Sequence, residues 1–247
     1  MTGSLLHADG ITIQFGGLVA VGDASLQIAP GRIHGLIGPN GAGKTTLFNA
    51  ISGLVRPRAG AIRFDGVDVL PWPAHRRAAA GIRRTFQSVQ LVRRFTVLEN
   101  VLVGMQTSFG LGVAGAQERA AQEQVRQALA FLGIEASILT PLERLSFAEQ
   151  RLTEIARAIV SRPKLLLLDE PAAGLSPAEV TQLDRLLRQL RDEWGTTILL
   201  VEHVLSLVLG VSDGITVLEN GRVIADGSPA AISADPVVRA AYLGADA

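Results

Sequence analysis

The sequence has 247 residues, of which 48% are hydrophobic and 19% charged; this content supports a sizeable buried core and excludes an intrinsically disordered chain. Acidic and basic residues balance at 23 each, so the excess of Lys and Arg on which a dedicated nucleic-acid binder depends is absent. No cysteine is present, which excludes disulfides, thiolate zinc sites and a cysteine nucleophile. We predict a single folded domain over residues 1–247.

Secretory and membrane-spanning segments are not expected. Residues 1–9 lack the basic and then apolar regions of a signal peptide. The best candidate for a membrane span, residues 100–117, has no charge but is crowded with glycine, and the apolar run 196–218 carries Glu202, His203 and Asp213. We therefore expect a cytoplasmic protein, and any membrane at which it works must be spanned by other chains.

The first predicted elements are a strand over residues 33–37, a glycine-rich turn and a helix from about Gly43 to Ser52, with Gly53 just past its end. Residues 97–160 show helical patterns, for example over 117–131, and no convincing strand. This stretch predicts a helical subdomain inserted into an α/β core.

The second half of the chain returns to strands. Residues 165–168 are all leucine and precede Asp169, as is typical of a strand buried on both faces, and a similar strand covers 198–201. After Asp213, two short strands flank Asn220-Gly221, a strong hairpin signal, and a last helical segment ends near residue 244. Strands that alternate with helices predict an α/β fold with a mostly parallel sheet.

The turn after the first predicted strand matches the pattern G-x-x-x-x-G-K-[ST] of a phosphate-binding loop. Glycines in this pattern let successive N–H groups converge on an anion, and the helix that follows adds its positive end. Lys44, one of only two lysines in the chain, is expected to reach the β- and γ-phosphates, and Thr45 to ligate Mg²⁺. The predicted ATP-binding residues of this loop are Gly38, Pro39, Asn40, Gly41, Ala42, Gly43, Lys44, Thr45 and Thr46.

Two acidic residues follow the leucine-rich strand. Ligands of an open parallel sheet collect beyond the carboxyl ends of its strands, so Asp169 and Glu170 are expected at the same edge as the phosphate loop. Asp169 is suited to hold Mg²⁺ through a water, and Glu170 to polarise the water that attacks the γ-phosphate.

In order and spacing, these motifs resemble those of ABC transporter ATPases, and the resemblance covers essentially the whole chain. It implies a P-loop NTPase core of mostly parallel sheet with an antiparallel β part and the inserted helical subdomain. It further implies that Gln87 contacts Mg²⁺ and senses the membrane subunit, that His203 contacts the γ-phosphate, and that Phe15 stacks on adenine. Ser146 is implied to grip the γ-phosphate bound by a second ATPase subunit, identical or similar, in a head-to-tail dimer.

Several stretches are similar to the ATPase subunit of branched-chain amino-acid importers, namely residues 15–18, 84–87, 96–100, 173–177 and 242–244. The resemblance implies ATP hydrolysis coupled to import through transmembrane permease subunits, on the inner face of the cell membrane. The ATPase of lipopolysaccharide export shares part of this set. A regulatory protein that binds ATP with little or no turnover is the alternative from another class.

The signature segment departs from the family pattern Leu-Ser-Gly-Gly-Gln. Phe147, Ala148 and Glu149 follow Ser146, and Ala148 adds a methyl group where backbone must approach a phosphate. Ser146 and Glu149 still form an S-x-x-E capping box at the start of a predicted helix. Harmless drift and a weakened composite site both remain open, as does the effect of Ser176 where many relatives carry Asp.

Nine arginines lie between residues 56 and 94, against only Asp65 and Asp68. A nucleic-acid surface is one interpretation, since repair and chromosome-maintenance proteins also use ABC-type ATPases. Those proteins usually carry a coiled-coil insertion or extra domains, which this chain lacks. We favour a solvated face near an anionic membrane leaflet, and no nucleic-acid partner.

Overall fold

The computed structural model describes residues 3–87, 90–105 and 116–243. The strands in these ranges are β1 (Leu6–Phe15), β2 (Leu18–Ile28), β3 (Ile33–Ile37), β4 (Ala59–Phe64), β5 (Val67–Asp68), β6 (Ile82–Arg84), β7 (Leu165–Asp169), β8 (Thr197–Val201), β9 (Gly214–Glu219) and β10 (Arg222–Gly227). The helices are α1 (Lys44–Ser52), α2 (Ala74–Ala79), α3 (Val97–Val103), α4 (Ala116–Phe131), α5 (Phe147–Ile159), α6 (Pro177–Trp194), α7 (Leu205–Val211), α8 (Pro229–Ala234) and α9 (Pro236–Leu243).

The larger sheet has the strand order β10-β9-β3-β8-β7-β6. Adjacent strands in this sheet are parallel except β10, which pairs antiparallel with β9 in the hairpin predicted at Asn220-Gly221. Every residue of β3, β7 and β8 is buried, as expected for strands covered on both faces. The prediction of an α/β fold with a mostly parallel sheet is confirmed.

A second sheet is antiparallel, with the order β2-β1-β4-β5. Residues of β1 alternate between buried and more exposed, and Leu6, Ala8, Ile11 and Ile13 face an apolar cluster that also contains residues of α1. The hairpin of the larger sheet meets this second sheet through a hydrogen bond from Gly22 N to Gly221 O of 2.8 Å. An antiparallel part was predicted, but the positions of these four strands were not.

The described part of residues 97–160 contains helices and short 3₁₀ turns, in agreement with the helical prediction. The helix predicted over 117–131 is α4, and its buried Val125 and Leu129 share one apolar cluster with Val101, Ile155 and Leu168. These helices therefore pack together and against β7. The limits of a helical subdomain at 97 and 160 stay a prediction.

No helix in the described ranges is long and apolar enough to cross a membrane. Most of the sequence-based candidate at 100–117 lies outside the described residues, as does Gly244 at the end of the last predicted helix.

The helix that follows the phosphate loop is held at its far end by a buried arginine. Arg77 of α2 is 2% exposed, and its guanidinium donates to Ala50 O (2.6 Å), Ile51 O (2.8 Å), Trp72 O (3.1 Å) and Leu70 O (3.3 Å). The last carbonyls of a helix have no partners within it, and a cation there also interacts favourably with the helix dipole. Arg77 thus fixes the orientation of α1.

Replacing Arg77 should therefore destabilise the fold. We expect Arg77→Met to lower the free energy of unfolding by about 3 kcal/mol, because buried carbonyls lose charged donors, and Arg77→Lys to lower it by less. Urea denaturation followed by circular dichroism measures both. Arg63→Met, at an exposed position of β4, is the matched control and should change stability by under about 0.5 kcal/mol. A similar midpoint for Arg63→Met and Arg77→Met would contradict the capping role.

Candidate nucleotide and magnesium site

The phosphate loop lies between β3 and α1, as the sequence predicts. Gly38 and Gly43 have positive φ of 152° and 99°, and both pack against backbone: an added Cβ would lie 2.1 Å from Leu218 O at Gly38 and 2.6 Å from Ala20 O at Gly43. A side chain is therefore excluded at both positions. These glycines let the loop curl against two neighbouring strands before α1 begins.

Lys44 is buried within the loop that it completes. Its Nζ donates to Gly38 O at 2.7 Å and to Pro39 O at 3.0 Å. Burial lowers the pKa of Lys44, and the carboxylates of Glu170 and Asp169 oppose that shift. The loop carbonyls satisfy the ammonium group, which lies beside the N-terminus of α1, where a phosphate would bind.

A cleft of about 450 Å³ opens over the loop. It brings together the loop and three residues that follow other parallel strands, namely Gln87 after β6, Glu170 after β7 and His203 after β8. A parallel sheet gathers such residues at one edge. Its lining consists of Leu18, Val19, Ala20, Asn40, Gly41, Ala42, Gly43, Lys44, Thr45, Thr46, Gln87, Glu170, His203, Asn220 and Gly221.

Asp169 ends β7 and is 2% exposed. Its Oδ1 is buried with no hydrogen-bond partner among the described residues, and its Oδ2 lies 3.8 Å from Arg84 Nη2. Burial raises the pKa of Asp169, while the guanidinium of Arg84 opposes this shift. An unpartnered carboxylate oxygen behind a phosphate loop suits a hydrated divalent cation.

The residues fit magnesium held jointly with a nucleotide. Among the described residues, no cluster of three or more His, Cys, Asp or Glu could cage a metal ion alone. Mg²⁺ is commonly bound by one or two protein oxygens together with substrate phosphates and water. Asp169 and the hydroxyl of Thr45 could supply those oxygens, and Gln87, which lines the same cleft, could supply another.

Three of the predicted residues converge on one carboxylate. Glu170 Oε1 lies 3.1 Å from His203 Nε2, and Glu170 Oε2 accepts a hydrogen bond of 3.2 Å from Gln87 Nε2. Glu170 also has a φ of 47°, a left-handed conformation that is unfavourable for a side chain of this kind. Its backbone N–H donates to Val201 O at 2.8 Å, which holds the residue in place. Strain maintained at a cleft residue is typical of functional sites.

Two residues of α5 that the sequence did not single out hold the segment that carries Gln87. Arg151 donates to Gln87 O at 2.7 Å and to Phe86 O at 3.3 Å, and Glu154 accepts from Phe86 N at 3.1 Å. The two side chains form a buried ion pair of 3.2 Å, and burial raises the pKa of Glu154. Both charges face inward on an otherwise apolar side of the helix, which is the sequence signal that could have revealed them.

Arg84, the last residue of β6, is a third residue that supports this segment. Its guanidinium lies between the rings of Phe48 (5.0 Å) and Phe86 (4.5 Å) and donates to Asn49 Oδ1 (2.7 Å) and Ser52 Oγ (2.9 Å). The side chain therefore joins α1 to the strand that leads into Gln87.

Phe15 and Ser146 do not line the cleft. Phe15 ends β1 and is 52% exposed, and the neighbouring Leu18, Val19 and Ala20 line the cleft instead. The implied roles of Phe15 in stacking on adenine and of Ser146 in gripping a phosphate remain predictions.

Ser146 forms the predicted capping box of α5. Its Oγ accepts from Glu149 N at 3.3 Å, and Glu149 Oε2 accepts from Ser146 N at 2.9 Å. The hydrogen bond from Ser146 N, and then the one that Ser146 Oγ donates to Glu149 Oε2 at 2.8 Å, lower the pKa of Glu149. Ser176 caps α6 in the same manner with Glu179, so this departure from the family pattern preserves a helix start.

Two family models match the sequence. The model described as ABC transporter matches residues 21–173, and the model described as branched-chain amino acid ATP-binding cassette transporter matches residues 222–247. The first range includes the phosphate loop and both acids at the end of β7. The second includes β10 and the last two helices.

Known proteins are similar over nearly the full length. The high-affinity branched-chain amino acid transport ATP-binding protein BraF of Pseudomonas aeruginosa is 41% identical, with 99% of each chain covered. The lipopolysaccharide export system ATP-binding protein LptB of Acidithiobacillus ferridurans is 40% identical, with 97% of each chain covered. Among solved structures, the ADP conformation of MJ1267, an ATP-binding cassette of an ABC transporter, superposes with a TM-score of 0.88 at 31% identity, covering 98% of this chain and 99% of that one.

Proposed function

This chain belongs to the ABC transporter family as an ATP-binding, ATP-hydrolysing subunit, and on that basis we propose that it powers import of branched-chain amino acids or related small solutes. Overall identity does not separate an importer from a lipopolysaccharide exporter, because BraF is 41% and LptB 40% identical. The match over residues 222–247 to the model of branched-chain amino-acid cassettes is the observation that carries the solute class.

In the proposed reaction, the phosphate loop and Lys44 bind the β- and γ-phosphates of ATP through backbone N–H groups and the ammonium. Glu170 polarises the attacking water, and His203 turns from Glu170 to the γ-phosphate, where it stabilises developing charge. Bound Mg²⁺, held by Asp169, Thr45 and Gln87, would neutralise phosphate charge. The convergence of Gln87, Glu170 and His203 in one cleft supports these roles.

The proposed assembly is a head-to-tail dimer with a second ABC ATPase subunit, docked on transmembrane permease subunits at the inner face of the cell membrane. Ser146 of one subunit would contact the ATP held by the other. What supports this is that Ser146 caps an exposed helix start outside its own chain's cleft. That position leaves it free to meet a nucleotide across an interface.

Transport by the assembled complex tests the solute class. We would co-express the chain with its permease and partner ATPase subunits, reconstitute them in vesicles, and measure ATP-dependent uptake of labelled leucine with valine and isoleucine as competitors. ATP-driven leucine uptake supports the proposal. ATP hydrolysis without leucine uptake would reject the solute class and favour export of a lipid. Absence of hydrolysis with and without the membrane subunits would favour an ATP-binding regulator.

The altered signature segment gives a separate prediction. We expect Ala148→Gly to raise ATP turnover of the assembled complex about two- to threefold, because the methyl group separates the backbone from the facing phosphate. Glycine also weakens a helix by up to about 1 kcal/mol, so Ala120→Gly on the exposed side of α4 is the matched control. Steady-state ATPase assays compare the two. Unchanged or slower turnover would leave harmless drift as the explanation of Ala148.

A further inference from the structure

One buried carboxylate beside the cleft has no place in the reaction described so far. Glu202 follows β8 and is 2% exposed. Its Oε1 accepts from Ala172 N at 2.6 Å, and its Oε2 accepts from His203 N at 2.9 Å and from Val204 N at 3.3 Å. No cationic side chain in the described residues forms a salt bridge with it. The partners that the described residues give this buried carboxylate are therefore backbone N–H groups, which strongly restrict its position.

These hydrogen bonds join two loops that leave neighbouring strands. Ala172 belongs to the turn after β7, in which Ala173 N donates to Glu170 O at 3.1 Å. His203 and Val204 belong to the loop after β8. The two strands are parallel neighbours in the sheet, and Asp169 pairs with Val201 in their register. The Glu202 side chain thus links the turn that carries Glu170 to the loop that carries His203.

The distance between Glu170 and His203 depends on that link. Their side chains lie 3.1 Å apart. Glu202 accepts hydrogen bonds from the backbone N–H of His203 itself and from that of Ala172, two residues after Glu170. The Glu170 backbone is strained, with a φ of 47°, and so requires support from its surroundings. Transition-state contacts lose effect when reacting groups are displaced by as little as about 1 Å.

We propose that Glu202 is a positioning residue for hydrolysis: its carboxylate fixes the loops of Glu170 and His203 relative to each other. This inference rests on the proposed roles of those two residues. Glu202 lies outside the residues that line the cleft, so it has no direct part in nucleotide binding. Its removal should therefore slow the chemical step and leave ATP binding unchanged.

Glu202→Gln is the sharpest variant because it changes one oxygen to NH₂ at nearly constant volume. Both carboxylate oxygens accept from backbone N–H groups, so either orientation of the amide places a donor against a donor. We expect kcat for ATP hydrolysis by the assembled complex to fall at least tenfold, with KM for ATP changed less than twofold. Glu193→Gln, the same substitution at an exposed position of α6, should have no effect.

A double-variant cycle separates positioning from a purely structural role. In a His203→Ala background, we expect the fold loss of kcat caused by Glu202→Gln to be at least threefold smaller. The reason is that the His203 loop then carries no side chain for Glu202 to position. Should Glu202→Gln fail to fold, Glu202→Asp keeps the charge but is too short by one methylene to span both loops, and the same measurements apply.

An unchanged kcat in either variant, or a loss of the same size in the His203→Ala background, would overturn the proposal. These outcomes are distinct from failure of the proposed function itself, in which the unmodified complex would hydrolyse ATP without leucine uptake or would not hydrolyse ATP at all.

Discussion

Glu170→Gln is expected to lower ATP hydrolysis by the assembled complex at least about 100-fold while MgATP binding persists. The amide keeps the size of the side chain and can still contact Gln87 and His203, but it cannot polarise a water as a carboxylate does. The phosphate loop and Lys44, which bind the triphosphate, are untouched. Steady-state phosphate release measures turnover, and fluorescence titration with a nucleotide analogue measures affinity.

Two further measurements make that result specific. Glu219→Gln, at the end of β9 and outside the cleft lining, is a matched control that should hydrolyse ATP at the unmodified rate. Hydrolysis by Glu170→Gln at the normal rate would mean that another group acts on the water. Loss of nucleotide binding in the same variant would mean that Glu170 supports the cleft and not the chemistry.

Lys44→Ala is expected to weaken MgATP binding at least about 100-fold, equivalent to about 2.7 kcal/mol, and so to abolish hydrolysis at ordinary ATP concentrations. The substitution removes the ammonium that completes the loop and leaves Gly38 O and Pro39 O without their donor. Lys44→Arg should restore little of the lost affinity for MgATP, because a planar guanidinium does not fit a loop that binds a compact ammonium. Isothermal titration calorimetry gives the affinities.

The chain supplies an almost ideal control for this prediction. Lys164 is the other lysine in the sequence, and it is exposed and paired with Asp65 at 2.6 Å. Lys164→Ala should bind MgATP with unchanged affinity, since an exposed ion pair contributes little. Equal weakening by both alanine variants would indicate a general charge effect and would reject the assignment of Lys44.

The sequence was most informative where local pattern and chemistry coincide. The phosphate loop has fixed spacing, and the buried strands 33–37, 165–168 and 198–201 are apolar apart from His34, so their ends could be placed within a residue. Because parallel strands end at one edge, the meeting of Lys44 and Glu170 followed from strand positions, whereas the place of His203 was implied by the family resemblance. The structure brings all three residues into the lining of one cleft.

The antiparallel sheet was harder to locate for a physical reason. Bulges interrupt the pairing of β1 with β2, for instance between Ala8 and Ile11, so the alternation that marks a half-buried strand loses its phase. The strand β5 has only two residues, too few for any period. Such strands are defined by their partners and not by their own sequence.

The supporting residues were missed because their partners are distant in the chain. Arg151 contacts Gln87 across 64 positions, and Arg77 contacts Ala50 across 27. A charge on the inward side of a helix shows only that something unusual is buried. Its role becomes visible when the folded chain shows which carbonyls it reaches.

The shared carboxylate of Glu170 has a consequence for the loops on either side of it. Gln87 follows β6 and His203 follows β8, the two strands that flank β7, so this one side chain contacts residues from both neighbouring loops. A displacement of either loop would remove a contact from the carboxylate that is proposed to act on water. The cleft is therefore sensitive to movement on both of its flanks.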